Sequence, residues 1–444
     1  MIRMTVADYS TEIRTRRREI LGCALVGSLG ILILNALTLR YGVYYSDNIL
    51  VLHPVAVHSL MDSLRVFVRP LEYLIVLAVN KVYLPLWLGV SLLCTVGATI
   101  LSALACELVF ERQLPKAGWW VLGLANPLLF YLVSQPIVSQ ALANLVFAGA
   151  MFAFVSELHR LPGRPSSGWR ADRASIFLNL MAAALFFTKE NAVAAATVIP
   201  AATALIRLKA RRLSPVFLFS LLLPIGAGSF WMLLKILLKL KFPYTMFPTL
   251  GGGRYGLALN PISWVKSFII TLAFPVTPLP SSFIAFDLLR QLWVVVALGS
   301  VILFIWVLLR ESRRQPKIVL PLFVVAACCA PMIVVRASEL YSTMITPFAV
   351  SIVLLFGISK MRWLSLAYGL LLYAASLGNG IVYSLGPEFD PLGLKHLPYS
   401  IYGKEYQVDP ICPIGTTAHV AWDGTAAGSG LPGEPSVDGV TCVP

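Results

Sequence analysis

Charged residues are scarce in this chain. Asp, Glu, Lys and Arg make up 13% of its 444 residues, against about 25% in an ordinary soluble domain. Acids are the rarer sign, 21 against 35 basic residues, so the net charge is +14. The five histidines, His53, His58, His159, His396 and His419, form no HExxH or comparable zinc spacing. Neither a G-x-S-x-G turn nor a GxxxxGK-Ser/Thr loop is present, which leaves serine-hydrolase and ATPase readings without support. So little charge excludes a soluble multidomain enzyme and a disordered chain. It also removes nucleic acid as a partner, because the basic excess fits the loops of a membrane protein.

Apolar sequence is what the chain has in quantity: 58% of residues are hydrophobic and mean hydropathy is +0.80. A helix needs roughly 20 largely apolar residues to cross about 30 Å of hydrocarbon. Such runs lie at 20–39, 84–108, 118–134, 138–156, 175–188, 191–207, 215–235, 289–309, 318–336, 345–358 and 364–385. They predict an all-α polytopic membrane protein of about 11 transmembrane helices. The stretch 263–280 is apolar too, but Pro275, Pro278 and Pro280 interrupt it, which predicts a re-entrant or interfacial segment. The first run has basic residues ahead of it and no small-residue cleavage site after it, so a retained span is expected.

Sorting the charge by side tests this count. With the N-terminus cytoplasmic, the short inner segments hold 21 of the 35 basic residues and the much longer outer segments hold 14. That is the positive-inside pattern at every turn, and it places the C-terminus outside. The expected organisation is a transmembrane domain over 1–385, with outer loops 41–83 and 236–288, and a small outer tail over 386–444, Gly/Ser/Pro-rich at 424–437. The inner loops read as short, basic and featureless, so function is expected on the outer side.

Four polar clusters fall at outer helix ends. In 41–83, Asp47 follows the first span. Val57, Leu60, Leu64, Phe67 and Val68 then recur at helical spacing, predicting an interfacial amphipathic helix that leads to Arg69 and Glu72. Thr188-Lys189-Glu190-Asn191 separates two apolar runs and reads either as a capped turn or as part of a site. Arg336-Ala337-Ser338-Glu339-Leu340-Tyr341 forms another turn. The fourth cluster, with Lys235, Lys239, Lys241, Arg254 and Tyr255, includes Gly251-Gly252-Gly253, either a flexible loop or a backbone nest for phosphate. A solvated loop carboxylate is the plainer reading of Asp47 alone. Ionisable groups at the membrane surface are costly unless paired or functional, however, and a common depth favours one shared site. Arg holds a phosphate in bidentate fashion and Lys holds it as a point charge. A carboxylate can take the proton of an attacking hydroxyl. No cofactor is required by these residues; a hard divalent cation on Asp47 and other acids is left open.

Of seven cysteines, Cys23, Cys94, Cys106, Cys328 and Cys329 lie within or beside apolar runs and are expected to be buried thiols. Cys412 and Cys442 alone fall in the outer tail, where an oxidising compartment would pair them.

The order of these features resembles a known superfamily. A short basic N-terminus, a first span, an Asp opening a large outer loop and an interfacial helix ending in Arg69-Pro70-Leu71-Glu72-Tyr73-Leu74 look like the GT-C membrane glycosyltransferases. Lys189-Glu190 is similar to a Lys-Glu pair at an outer hairpin of several such families, and Ser338-Glu339-Leu340-Tyr341 to a late S-E-R-Y-like turn. Two departures are visible: Asn48 follows Asp47 where many relatives have a second acid, and Leu340 stands where the late turn has Arg. The architecture matches over 15–385, whereas the motifs cover only these short segments.

The resemblance implies an inverting transferase in a bacterial inner membrane. It would move a sugar from a polyprenyl-phosphate donor to a periplasmic cell-envelope acceptor, such as lipopolysaccharide, O-antigen or a similar glycan. Asp47 would be the general base. Lys189, Arg69, Arg254 and Arg336 would hold the donor phosphate, and Glu190, Glu72, Glu339 and Tyr341 would orient substrate. One rival is a lipid-linked oligosaccharide ligase or polymerase, typically reliant on Arg and His in a large late loop; 236–288 offers Arg254 but no His. The other is a lipid or solute transporter, which tends to show internal repeats and ionisable groups near mid-membrane. No repeat is found here.

Overall fold

In the computed structural model of the chain, the residues described are 16–40, 71, 84–134, 138–160, 169–188, 192–241, 261, 264, 287–335, 343–356, 367, 369–370, 373, 417–420 and 440–443. Helix α1 is Arg17–Arg40, α2 Leu84–Phe110, α3 Lys116–Ser134 and α4 Val138–Arg160. Then come α5 Trp169–Leu185, α6 Val193–Lys209, the short α7 Pro215–Ser220 and α8 Leu222–Lys241. Helix α9 is Asp287–Arg314, α10 Val319–Val335 and α11 Thr346–Phe356. Each apolar run from 20–39 to 345–358 thus overlaps a helix over most of its described residues. Of 364–385, residues 367, 369, 370 and 373 are helical and the rest lies outside the described residues, as does 263–280 apart from helical Trp264. The predicted interfacial helix near 57–68 lies outside them too.

The chain is a helical membrane protein. Among the described residues, Gly89–Phe110, Gln140–His159 and Pro215–Leu237 are long and apolar enough to cross a bilayer. The last of these joins α7 and α8 through Leu221: Leu221 N donates to Phe217 O at 3.1 Å and Ile225 N to Leu221 O at 3.3 Å. Proline begins α7 because its missing N–H is an orphan there anyway. Ser214 caps that start by accepting from Phe217 N at 3.0 Å. The tail departs from the helical pattern: β1 Thr417–Val420 and β2 Val440–Val443 pair antiparallel, Ala418 opposite Cys442.

Packing centres on α2 and α4, which lie along one another; α1 packs on α3, α5 on α4, α6 and α8 on α5, α10 on α6 and α11 on α2. The core is built largely of Ala, Leu and Phe. Small residues let backbones approach, as helix pairs in lipid require. At Gly123 on α3, an added Cβ would stand 2.8 Å from the Cys23 carbonyl oxygen of α1. One helical layer further in, Thr99 of α2 donates to Asn126 Oδ1 of α3 at 2.5 Å, both buried, and a Cβ at Gly27 of α1 would overlap the Asn126 amide. Cys23, Cys94, Cys106, Cys328 and Cys329 are free and buried, as expected.

Helix ends at one face of the bundle are tied together by charge. Arg16 pairs with Glu107 at 2.7 Å, and Glu107 also accepts from Leu114 N, joining the start of α1 to the α2–α3 turn. Arg112 reaches Glu311 of α9 at 3.4 Å, and Lys317 reaches Glu111 at 3.7 Å. The Arg112 guanidinium also lies over the ring of Phe356, which ends α11. His159 Nε2 meets the Leu108 carbonyl at 2.8 Å, bringing in the end of α4. The described Lys and Arg residues among those assigned from sequence to inner loops therefore gather at one basic end. These turns are not featureless, because Glu107 and Glu311 are buried in ion pairs that a one-dimensional reading of loop charge does not reveal.

The firmest of these contacts surrounds Arg207. Its Nε donates to Glu157 Oε1 at 2.7 Å, and its terminal nitrogens lie 2.6 Å from Glu157 Oε1 and 2.6 Å from Asp172 Oδ1. Ser214 Oγ donates to the second Asp172 oxygen at 2.6 Å, and the guanidinium covers the Phe217 ring. Helices α4, α5, α6 and α7 meet at this one buried side chain.

Candidate functional site at the far end of the bundle

The opposite end collects the chain segments that flank the four polar clusters. Helix α5 finishes in a tight turn over Phe186, Phe187 and Thr188. Thr188 N and Oγ1 both donate to Leu185 O, at 3.3 and 2.9 Å, so the fully buried threonine closes the helix with its own hydroxyl. That leaves the Phe187 carbonyl for another segment, and Leu71 N donates to it at 3.2 Å. Leu71 is the centre of Arg69-Pro70-Leu71-Glu72, and Thr188 opens Thr188-Lys189-Glu190-Asn191. Two clusters separated by more than a hundred residues of sequence thus share a backbone hydrogen bond.

Helix α8 packs aromatic rings against the same turn. Phe230 meets Phe187 edge-on with centroids 6.1 Å apart, and Trp231 meets Phe186 at 6.3 Å. Gly228 makes room, since a Cβ there would lie 2.9 Å from the tip of the Phe186 ring. One turn on, Lys235 Nζ sits 3.8 Å from the Trp231 ring centroid. A cation over an aromatic face is stabilised by the ring quadrupole. Lys235 also opens the basic loop of the fourth cluster.

The third cluster has its own anchor. Gln140 Nε2 donates to Asn144 Oδ1 at 2.9 Å, and Asn144 Nδ2 donates to Thr343 Oγ1 at 3.2 Å, all three side chains buried. Thr343 lies two residues after Tyr341. Below this chain Phe147 packs edge-on against Phe348 at 5.7 Å. Gln140 and Asn144 had escaped the sequence reading, which followed charge. Their signal was faint: two amides at i and i+4 inside an otherwise apolar run.

Asp47, Arg69, Glu72, Lys189, Glu190, Arg254, Arg336, Glu339 and Tyr341 lie outside the described residues, as does Cys412. Cys442 is described only by its place on β2, so the Cys412–Cys442 pairing lies outside them too. Among the described residues, no group of three or more His, Cys, Asp or Glu side chains could hold a metal ion. No family model, curated protein or solved structure matches the chain.

Proposed function

We propose that the far end is the active site of a GT-C-type inverting glycosyltransferase, set in a bacterial inner membrane of about 11 spans with this end facing the periplasm. The hydrogen bond from Leu71 N to Phe187 O supports this reading most directly. Arg69 and Lys189 each stand two residues from that bond, and two residues of extended chain reach about 7 Å. Two cations on so short a tether suit one phosphate.

The donor is a polyprenyl-phosphate sugar whose lipid lies between helices and whose sugar faces water. The Asp47 carboxylate takes the proton of the acceptor hydroxyl as that oxygen bonds to the anomeric carbon. The bond between that carbon and the phosphate oxygen breaks, and its electron pair departs with the polyprenyl phosphate. Lys189 and Arg69, backed by Arg254 and Arg336, offset the charge that develops on the leaving phosphate. Glu72, Glu190, Glu339 and Tyr341 orient the sugar and these cations. The buried chain of Gln140, Asn144 and Thr343 would fix the segment that bears Tyr341.

The test is transfer from a panel of defined polyprenyl-phosphate sugars to cell-envelope extract, with and without chelator, by the full chain in bilayers. At least one donor should be consumed with release of polyprenyl phosphate. Asp47→Asn should lower transfer by roughly 10²–10⁴-fold, the usual worth of a general base, without moving the thermal midpoint. Undiminished transfer by that variant would remove Asp47 from the mechanism, and no transfer from any donor would remove the proposal.

A further inference from the structure

The basic end holds two kinds of cation. Around α1, α2, α3 and α9, Arg16, Arg112, Lys116, Arg314 and Lys317 each stand within ion-pair distance of Glu107, Glu311, Glu19, Glu311 and Glu111 respectively. Arg17, Arg18, Arg310 and Arg313 have no carboxylate partner among the described residues. At the turn between α6 and α7 three such cations stand together within four residues. That turn's neighbouring acids, Glu157 and Asp172, are both buried against Arg207. Lys209, Arg211 and Arg212 are then left with no carboxylate partner among the described residues, and so is exposed Arg173 beside Asp172 on α5. Lys209 and Arg211 are exposed and Arg212 is half-buried.

Backbone geometry fixes how this turn presents its charge. Arg212 N donates to Arg207 O at 2.9 Å and Arg211 N to Leu208 O at 3.0 Å, closing α6 with Arg211 at φ 54°. Glycine usually fills such a left-handed closing position. The turn is held from beneath by buried Arg207 and from the side by Ser214, so its cations project from a fixed frame. Directly beside it the surface is apolar: Leu205, Leu208, Leu213, Leu218, Phe219 and Leu222 are all exposed. A row of unpaired cations at the rim of an exposed apolar wall is complementary to a molecule with an anionic head and hydrocarbon tails.

We infer that the α6–α7 turn is a binding site for an anionic phospholipid. Its phosphodiester is held by Lys209, Arg211 and Arg212, with Arg173 alongside, and its acyl chains lie along Leu205, Leu208 and Phe219. Arginine grips phosphate oxygens through paired N–H groups, and each basic residue near an anionic membrane surface strengthens attachment. The site is on the end opposite the proposed transferase site and stands independently of that reading.

The full chain, purified in a neutral detergent, is titrated with phosphatidylglycerol or phosphatidylcholine, and retained lipid is counted by native mass spectrometry. Phosphatidylglycerol should be retained in preference to phosphatidylcholine. The Lys209→Gln, Arg211→Gln, Arg212→Gln triple variant should lose on the order of tenfold or more of that retention, with its thermal midpoint in lipid-free detergent unchanged. Lys116→Gln with Lys317→Gln, which removes two ion-paired cations from the same end, should retain lipid like the wild type. Excess inorganic phosphate should fail to displace the lipid, because it has nothing to lay on the apolar wall. Equal retention of both lipids, wild-type retention by the triple variant, equal loss in the control or displacement by phosphate alone each overturns the inference. Should the triple variant unfold, Arg211→Gln alone, with a smaller expected loss in the same assay, decides the matter.

Discussion

Arg207 shows how one side chain can be indispensable without taking part in chemistry. It is 4% exposed, with nitrogens on two carboxylates and its plane on an aromatic ring. Burying three charges costs desolvation that the ion pairs only roughly offset, so the cluster adds little net stability over a well-packed apolar one. Removing one partner is another matter. Arg207→Leu strands Glu157 and Asp172 as buried anions, and breaking such a pair typically costs about 3–5 kcal/mol. The variant should show a sharply lowered midpoint for unfolding in detergent. Arg211→Gln, four residues away on the exposed turn, should stay within about 0.5 kcal/mol of wild type. Equal effects from the two would mean that the Arg207 contacts do not hold the four helices together. The same residue marks a limit of reading charge along a line: Arg207 and Lys209 look alike in the sequence, and only packing shows that one is an internal tie and the other is at the surface.

At the scale of elements, apolar runs predicted the helices well because a bilayer-spanning helix is written continuously in the chain, with polar or proline-bearing breaks between runs. The run 215–235 accordingly begins where α7 does, at Pro215. The division of 215–235 at Leu221 was not readable, since leucine carries no turn signal and the backbone hydrogen bonds run on through it. The β1–β2 ladder was illegible for a different cause: two four-residue strands twenty residues apart pair by contact, not by pattern. Of the candidate site, the segments that converge were legible as charge clusters. Their convergence was not, because it rests on the backbone of Leu71 and Phe187, to which sequence gives no label. Three glycines put helix packing to the test. A Cβ at Gly123 meets backbone, the Cys23 carbonyl, and cannot be relieved by a rotamer change. At Gly228 it meets only the far end of the Phe186 ring, and at Gly299 it meets nothing within 4 Å. Gly123→Ala should therefore destabilise most and Gly228→Ala less. Gly299→Ala should be neutral or stabilising by up to about 1 kcal/mol, the helix-propensity gain over glycine. Melting midpoints of the three purified variants give the order directly, and a Gly123→Ala protein as stable as wild type would mean that α1 and α3 do not cross this closely.

For the whole molecule, the two ends differ in kind. One gathers salt-bridged helix termini and surplus arginines; the other gathers an aromatic turn, a buried amide chain and the roots of four polar loops. Cations are retained on the cytoplasmic side during insertion, so short loops rich in Lys and Arg should face the cytoplasm. The proposed chemistry requires the other end to face the periplasm, where lipid-linked sugars meet envelope acceptors. Orientation is thus a single property on which both depend, and it can be measured without any knowledge of substrate. Five of the seven cysteines are buried and give little background, and Cys412→Ser with Cys442→Ser removes the two of the tail from the labelling experiment. Arg313→Cys reports the exposed end of α9 at the basic end. Gly252→Cys reports the segment after α8 that the sequence assigns to the outer loop 236–288. In intact spheroplasts a membrane-impermeant maleimide should label Gly252→Cys at once and Arg313→Cys only after the membrane is opened. The reverse order would turn the molecule over, placing the carboxylate and cations of the proposed site in the cytoplasm, where a periplasmic acceptor could not reach them. Labelling of both from outside would mean that the loops between them do not alternate across the bilayer, and the count of about 11 spans would have to change by an odd number.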